Sequence, residues 1–148
     1  MSPVFIPLCP DRLEKILQLR EQLYRHEDLV YEPGDAPSLL RELMANPSFG
    51  ALWLIEVERE VAGYLLLTMC YSLEFHGRFG LLDEFYVEER FRGQGIGTAA
   101  LAFAEHACRG LGMKALRLEV THGNLRALEL YRRRGFAVAP RHLMTKWL

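Results

Sequence analysis

The segment from residue 81 to residue 100 constrains this chain more than any other part of it. It reads LLDEFYVEERFRGQGIGTAA: an apolar strand, a short charged loop, a glycine-rich turn and the start of a helix. Glycines let backbone N–H groups converge without an obstructing Cβ atom, and a helix start adds unpaired N–H donors and the positive end of the helix dipole. The pattern therefore predicts a site for phosphate, most often a pyrophosphate, at this turn.

Length and composition indicate one domain with a core of its own, spanning residues 1–148. Half of the 148 residues are hydrophobic and a quarter are charged, which is typical of a globular domain. The chain has no apolar run long enough to span a bilayer, and from its first residues we expect no secretory signal. Its three cysteines, Cys9, Cys70 and Cys108, are scattered and form no CxxC pair. We therefore expect a reduced, cytoplasmic setting and no membrane partner.

Charge is distributed unevenly along the chain. Residues 1–87 contain 7 Lys and Arg against 14 Asp and Glu, whereas residues 88–148 contain 11 against 5. A basic half suits a polyanionic cofactor and an acidic half suits a cationic co-substrate, although accidental segregation of solvated charges would give the same numbers. Because the basic residues do not interleave with exposed aromatic residues, nucleic acid is not expected as a partner.

Hydrophobic periodicity and turn residues divide the chain into strands and helices. We predict strands over residues 4–8, 51–57, 61–70, 80–87, 115–120, 136–138 and 143–148, and helices over residues 11–24, 37–44, 95–110 and 124–134. A hairpin followed by strand–helix–strand–helix predicts an α/β fold. We expect a single mixed central sheet of six to seven strands, with helices on both faces.

Two phosphate-binding motifs compete for the glycine turn on residue pattern alone. A P-loop requires GxxxxGK[ST], which the chain lacks. Gly95, Gly97 and Ala100 match the G-x-G-x-x-A of a dinucleotide-binding fold, and Glu119 stands where a ribose-binding acid would follow. Against this, residues 88–92 separate the strand from the first glycine, and the chain has no room for a second mononucleotide half plus a substrate domain.

The run Arg92-Gly93-Gln94-Gly95-Ile96-Gly97 resembles the R/Q-x-x-G-x-G/A motif of the GCN5-related N-acetyltransferases, the GNAT superfamily. In that family the motif follows an aromatic-Val pair, here Tyr86-Val87. A second family signature also has counterparts here, in the family's order and spacing: Glu119-Val120, Asn124, Ala127, Leu130-Tyr131 and Gly135-Phe136. The resemblance covers residues 50–148 well and implies an acyl-CoA N-acyltransferase-like fold.

The resemblance also implies transfer of an acetyl group from acetyl-CoA to an amine. In the family, pantetheine lies between splayed strands like an added strand, so the backbones of Tyr86, Val87 and Glu88 would bind it. The Val87 N–H would polarise the thioester carbonyl, where negative charge develops. The cofactor-binding residues implied are Tyr86, Val87, Arg92, Gly93, Gln94, Gly95, Ile96, Gly97, Thr98, Asn124, Tyr131 and Arg133. Candidates for the ribose phosphate are Arg90, Arg92, Arg132, Arg133 and Arg134.

Acid and base candidates lie on either side of this motif. Attack requires a neutral amine, so a base must remove a proton. Asp83 and Glu84 interrupt an otherwise apolar strand, and strand alternation would let only one of them face the cleft. Polyamine acetyltransferases of the superfamily have a similar acidic pair; the choice stays open, with a preference for Glu84. Tyr131 matches the family's general acid, which would return a proton to the CoA thiolate, and Asn124 is expected to cap its helix.

The acceptor is expected to be a small-molecule amine, polyamine-like or amino-acid-like. By the resemblance, the first helices and the central hairpin would contribute Tyr24, His26, Tyr31, Glu32, Tyr71, Phe75 and Glu84, with Glu27, Asp28, Glu74 and His76 nearby. Carboxylates and aromatic rings suit a cation. A protein lysine or N-terminal amine, or a non-catalytic CoA-binding role, are the alternatives. The dispersed histidines predict no metal site, and a homodimer through the C-terminal strands is a family expectation.

Overall fold

The structure is a computed structural model that describes residues 2–148. Over this range it contains five strands and four α-helices. The strands are β1 (Val4–Pro7), β2 (Gly50–Val57), β3 (Glu60–Ser72), β4 (Gly77–Val87) and β5 (Leu116–Leu118). The helices are α1 (Leu13–His26), α2 (Ala36–Ala45), α3 (Ile96–Gly110) and α4 (Leu125–Arg133). Short 3-10 turns cover Pro10–Arg12 and Glu89–Phe91.

All five strands form one sheet in the order β1-β2-β3-β4-β5. Strands β1 to β4 are antiparallel neighbours, and β5 runs parallel to β4. Since parallel neighbours need a crossover, α3 links β4 to β5. The predicted mixed sheet and its strand–helix–strand unit are confirmed, but the expected number of six to seven strands is wrong.

The missing strands are the two predicted at the C-terminal end, over residues 136–138 and 143–148. No strand follows α4 in the described chain, and β5 is shorter than the predicted range 115–120. A strand needs a neighbour that pairs with its backbone groups, and alternation in the sequence does not supply that neighbour. The large apolar side chains of this segment accordingly stay exposed: Val138, Leu143, Met144, Trp147 and Leu148.

Helices pack on both faces of the sheet, as predicted, and each face has its own core. On one face, α3 contributes Ala100, Leu101 and Ala104 to a cluster with Ile55 and Leu65 of the central strands. On the other face, α1 and α2 bury a second cluster of residues: Ile16, Leu19, Leu23, Leu40, Leu52, Leu54, Tyr64 and Tyr86. Alternate residues of β2 enter different clusters because successive strand side chains point to opposite faces.

None of the helices between residues 2 and 148 combines the length and the apolarity that a bilayer crossing requires. The three cysteines, Cys9, Cys70 and Cys108, are free thiols, and Cys108 is buried in a small cluster with Leu67 and Met113.

Gly63 allows the end of β4 to lie close against β3. A Cβ atom at Gly63 would overlap the carbonyl oxygen of Tyr86 and approach the Cα of Val87 to 3.0 Å. We expect Gly63→Ala to lower the free energy of unfolding by about 1–3 kcal/mol, because both obstacles are backbone atoms that cannot rotate away. Urea denaturation measures the change. Gly110→Ala is the control: a Cβ at this helical position meets open space, so stability should stay equal or rise. If Gly63→Ala were as stable as Gly110→Ala, the prediction would be wrong.

Candidate active site

Strand β4 is bulged at its centre, next to the two acidic residues. Leu66 of β3 pairs with Glu84, whereas the next residue, Leu67, pairs with Leu82, so Asp83 has no partner in β3. An extra residue of this kind breaks the two-residue alternation of a strand. Both Asp83 and Glu84 therefore line the same pocket, and the expectation that only one of them could face the cleft is wrong.

The pocket has a volume of about 290 Å³, and four of its lining residues are acidic: Glu27, Asp83, Glu84 and Glu119. It is bordered by the end of α1, the residues that follow it, β4, the end of β5 and α4. The remaining lining residues are Leu23, Tyr24, Leu29, Leu82, Phe85, Leu118 and Tyr131. Because no lining residue is a lysine, arginine or histidine, the pocket favours positively charged molecules.

Glu84 is bound by groups from two neighbouring elements. Arg20 of α1 donates from Nε to Oε1 at 2.9 Å and from Nη2 to Oε2 at 3.1 Å. Tyr64 of β3 donates from its hydroxyl to Oε1 at 2.9 Å. The Arg20 and Glu84 side chains are only 17% and 13% exposed. Bidentate hydrogen bonds between charged groups are stronger than hydrogen bonds between neutral groups.

The charges of this group affect its members. Burial alone would lower the pKa of Arg20, but the hydrogen bond and the charge of Glu84 outweigh it and raise that pKa. Burial and the charge of Glu84 raise the pKa of Tyr64. Arg20 therefore stays cationic and Tyr64 stays a hydroxyl donor at neutral pH, so Glu84 keeps both of its partners.

Asp83 has a different environment. Its side chain is exposed to the pocket, yet the surrounding walls remove part of its hydration. This desolvation, followed by the charges of Glu84 and Glu119, raises the pKa of Asp83. Partial burial and the charge of Glu84 also raise the pKa of Glu27. Two carboxyl groups of the pocket thus hold a proton more readily than free carboxyl groups do.

Tyr131 reaches the pocket from α4. Burial, and then the charge of Glu27, raises the pKa of Tyr131 to about 12, so its hydroxyl is protonated at neutral pH. The predicted cap of this helix is confirmed: the Asn124 side chain accepts a hydrogen bond from the Ala127 N–H at 3.2 Å. The cap positions the first turn of α4 and, with it, Tyr131 near its end.

A gap opens between β4 and β5 beside the pocket. Their pairing consists of Gly80 with Leu116, Leu81 with Arg117 and Leu82 with Leu118, whereas β4 continues to Val87. The Glu88 N–H donates to Ala62 of β3 at 2.8 Å. Since backbone groups alternate sides along a strand, the N–H of Val87 points the other way, into the gap.

The glycine turn lies at the far end of this gap. Gly93 and Gly95 have φ values of 76° and 79°, a left-handed conformation that glycine adopts without strain. Helix α3 begins directly after Gly95 with no side chain capping it, so its first N–H groups are available to an acceptor. Arg92 donates from Nε to the carbonyl oxygen of Val87 at 2.9 Å. Gln94, Gly97 and Thr98 complete the turn and the first helical residues.

The predicted phosphate-binding arginines differ in availability. Arg90 pairs with Glu60 at 2.6 Å and Glu88 at 3.4 Å. The three arginines near the end of α4 also differ. The Arg134 guanidinium lies 3.5 Å from the Glu105 carboxylate and that of Arg133 lies 4.0 Å from Glu129, whereas Arg132 is exposed. Sequence reasoning missed Arg126, whose Nη2 lies 3.9 Å from where a Cβ atom of Gly93 would be. Its position two residues after the helix cap was the available signal.

Of the predicted acceptor residues, Tyr24 and Glu84 line the pocket, and Tyr31 packs edge-on against Tyr24 at 5.6 Å. His26 lies 6.3 Å from the ring of Tyr86, and burial followed by the charge of Arg92 lowers the pKa of His26. Five of the seven predicted acceptor residues lie outside the pocket lining: His26, Tyr31, Glu32, Tyr71 and Phe75.

The contacts of Tyr71 and Phe75 explain their position outside the pocket. Tyr71 is 74% exposed, and Phe75 packs against Phe79 at 5.1 Å and under Arg117 at 4.6 Å. Tyr86 is buried with its hydroxyl donating to Gln22 at 3.2 Å, and its carbonyl oxygen faces Gly63 of β3. By strand alternation its backbone groups are therefore directed away from the gap. Although four acidic residues line the pocket, no three His, Cys, Asp or Glu side chains among residues 2–148 are grouped closely enough to hold a metal ion.

A model of the acetyltransferase (GNAT) family matches residues 13–136. Thialysine N-epsilon-acetyltransferase of Bos taurus is 37% identical over 75 residues, 51% of this chain and 44% of that protein. Spermine/spermidine N(1)-acetyltransferase of Bacillus subtilis (strain 168) is 36% identical over 56 residues, 37% of each chain. The matches thus span less than half the length of these two relatives.

Other matches cover nearly the whole chain. The uncharacterized N-acetyltransferase YycN of Bacillus subtilis (strain 168) is 30% identical over 147 residues, 92% of this chain and 93% of that protein. An integron cassette protein, HFX_CASS3, from the mobile metagenome of Cole Harbour Salt Marsh has a TM-score of 0.84 at 28% identity, covering 97% and 90% of the two chains. A predicted acetyltransferase of Clostridium acetobutylicum, crystallised with acetyl-CoA, has a TM-score of 0.82 at 14% identity over 98% and 96%.

The last of these likenesses shows the fold alone. The family model, in contrast, spans most of the chain and contains the glycine turn, β4 and Tyr131. Together with a 30% identical relative that aligns over 92% of the sequence, it establishes that this chain belongs to the acetyltransferase (GNAT) family.

Proposed function

We propose that the protein transfers an acetyl group from acetyl-CoA to the primary amine of a small cationic acceptor. The observation that carries this proposal is the gap between β4 and β5. It is bordered at one end by the glycine turn and the uncapped start of α3, and at the other by a pocket with four carboxylates. A long cofactor with a phosphate end and a thioester end fits this arrangement.

The residues present fit acetyl-CoA. N–H groups at residues 93–98 would bind the pyrophosphate, with Arg92 beside them and Arg133 and Arg126 as charges for the ribose phosphate. The free edge of β4 at Val87 would pair with the pantetheine amides. Acetyl-CoA supplies an activated acetyl thioester, and the Val87 N–H is directed to stabilise negative charge on its carbonyl oxygen.

Asp83 is the better candidate for the base, although sequence reasoning preferred Glu84. Both oxygens of Glu84 already accept hydrogen bonds from Arg20, and Oε1 also accepts one from Tyr64. Asp83 faces the pocket and its pKa is raised, which brings it closer to the pKa of the amine proton that it must accept. Tyr131, protonated at neutral pH, would return a proton to the departing thiolate.

A polyamine-like or amino-acid-like acceptor is supported by the charge of the pocket. Glu27, Asp83 and Glu119 line it together with Tyr24, and these groups suit an ammonium or guanidinium group. The two relatives matched over part of their length are named for thialysine and for spermine and spermidine. A protein lysine or N-terminal amine remains an alternative acceptor class, and a non-catalytic CoA-binding role is a further alternative.

The wider setting of the protein is part of the same proposal. Free cysteine thiols support a reduced, cytoplasmic location. The exposed apolar side chains of the C-terminal segment, Val138, Leu143, Met144, Trp147 and Leu148, support a homodimer formed through this segment. Residues 1–148 would act as a single N-acetyltransferase domain, without nucleic acid or membrane as a partner.

The function is tested by measuring CoA thiol release with a panel of acceptors. We expect spermidine and lysine-like diamines to be acetylated with higher kcat/KM than amino sugars with a single amine, because the diamines bring an additional positive charge to the negative pocket. Peptides with a free N-terminus or an internal lysine represent the alternative acceptors. Thermal-shift measurements with acetyl-CoA and with NAD give the control for cofactor identity. Stabilisation by NAD alone, or faster acetylation of peptides, would overturn the corresponding part of the proposal.

Gly95 tests the cofactor site. We expect Gly95→Asp to abolish acetyl-CoA binding in calorimetry, because it puts a negative charge beside the N–H groups that would bind phosphate. The matched control is Gly112→Asp. Gly112 has a φ of 74°, close to the 79° of Gly95, and a Cβ at either position meets open space. Both variants therefore carry similar backbone strain, and equal acetyl-CoA affinity in the two would contradict the loop assignment.

Tyr131 tests the acid. Tyr131→Phe removes the hydroxyl and keeps the ring, which packs against Phe136 at 6.0 Å. Loss of a positioned general acid should lower kcat by about 10²–10⁴-fold. The affinity for acetyl-CoA, measured by calorimetry on the same preparation, should change less than about threefold, because binding does not require the proton. Unchanged turnover would remove Tyr131 from the mechanism.

A further inference from the structure

Arg20 is an unusual residue for its place. It lies in the middle of α1, on the side that packs against the sheet, and its side chain is 17% exposed. Its guanidinium makes a two-pronged contact with Glu84 and also donates from Nη2 to the Tyr24 hydroxyl at 3.1 Å. A buried arginine in an apolar helix face requires a partner. Here the partner is the residue that follows the bulge of β4.

The contact decides how the bulge presents its two carboxylates. Glu84 is held from α1 by Arg20 and from β3 by Tyr64, so its direction is determined by two elements. Asp83, one residue earlier and unpaired with β3, is left to project into the pocket. Without Arg20, two adjacent carboxylates would face the same pocket with no cation among the groups that hold them.

We propose that Arg20 is a positioning residue, which binds Glu84 and thereby leaves Asp83 as the carboxylate presented to the acceptor amine. The inference rests on the proposed acetyl transfer for its kinetic consequences, but the placement of the two carboxylates is a property of the unliganded protein. Arg20 acts through Glu84 and makes no contact with reacting atoms.

Asp83 reports this arrangement because its ionisation depends on the surrounding charges. Desolvation raises its pKa most, the charges of Glu84 and Glu119 raise it further, and Arg20 lowers it. The titratable and charged groups around it come from every neighbouring element: Arg20, Tyr24 and Glu27 from α1 and its end, Tyr64 from β3, Glu84 from β4, Glu119 after β5, and Tyr131 from α4. Removal of Arg20 deprives Glu84 of its counter-charge, so proton release from Asp83 becomes harder.

The test is a carboxyl-carbon NMR titration of Asp83 in the wild-type chain and in Arg20→Met. We expect the pKa of Asp83 to rise in the variant, because a positive charge that lowers it has been removed. With one acceptor used throughout, the acid limb of kcat/KM should move to higher pH by the same amount, so that activity on that limb falls. The KM for acetyl-CoA should stay unchanged.

Two further variants separate positioning from simple loss of structure. Arg12→Met removes a more exposed ion pair, Arg12 with Glu56 at 3.1 Å, outside the pocket lining. It should leave the Asp83 titration unchanged. Arg20→Met/Glu84→Gln removes both charges and should return the Asp83 pKa to the wild-type value or below. If Arg20→Met does not fold, the double variant is compared with Glu84→Gln; the proposal expects the higher Asp83 pKa in the double variant.

The outcomes are distinct. An unchanged Asp83 pKa in Arg20→Met, or reduced turnover at all pH values without movement of the acid limb, would overturn the proposal and leave Arg20 a structural residue. If the wild-type protein acetylates no amine, the proposed function fails. The carboxyl titration still decides the role of Arg20 in that case, because it requires no turnover.

Discussion

The parting of β4 from β5 after Leu82 is the constraint on which the rest of the site depends. Backbone groups of β4 beyond this point have no partner on the β5 side. Because an unpaired backbone group costs free energy when it is removed from water, these groups favour a ligand that supplies donors and acceptors. On the opposite edge of the same strand, the bulge at Asp83 occurs at the same place. One local irregularity thus provides both an unpaired strand edge for a cofactor and an acidic wall for an acceptor.

The acidic pocket contains two kinds of carboxylate, and burial with hydrogen bonding separates them. Glu84 is buried and bound by an arginine and a tyrosine, so it serves as a fixed negative charge. Glu27 and Asp83 are left without such donors, and desolvation together with Glu84 raises the pKa of both. Adjacent residues of one type in the sequence therefore have different chemical roles, which depend on the elements packed against them.

Much of the fold could be predicted from the sequence because strand and helix periods are local signals. The glycine turn, the helix after it and the Asn124 cap follow from neighbouring residues, and the structure has them. The two closing strands were predicted wrongly, because strand pairing depends on a partner edge, and β5 spans only three residues. The bulge at Asp83 was missed for the same reason, since it is a property of the register between β3 and β4. Arg20 and Tyr64 approach Glu84 from 64 and 20 residues away, and no local pattern connects them.

A pocket that attracts a cationic amine also opposes its activation. Negative charge stabilises the ammonium form, whereas attack on the thioester requires the neutral amine. A pocket of four unpaired carboxylates would bind the acceptor well and hold its proton firmly. Because Arg20 neutralises one of these carboxylates, the pocket stabilises the ammonium form less. The raised pKa of Asp83 also brings it closer to the pKa of the amine, so that proton transfer to Asp83 costs less free energy. Tyr131, whose pKa is raised to about 12, keeps its proton in the same negatively charged pocket until a thiolate forms. The distribution of charge in this pocket is therefore a compromise between binding an amine and deprotonating it.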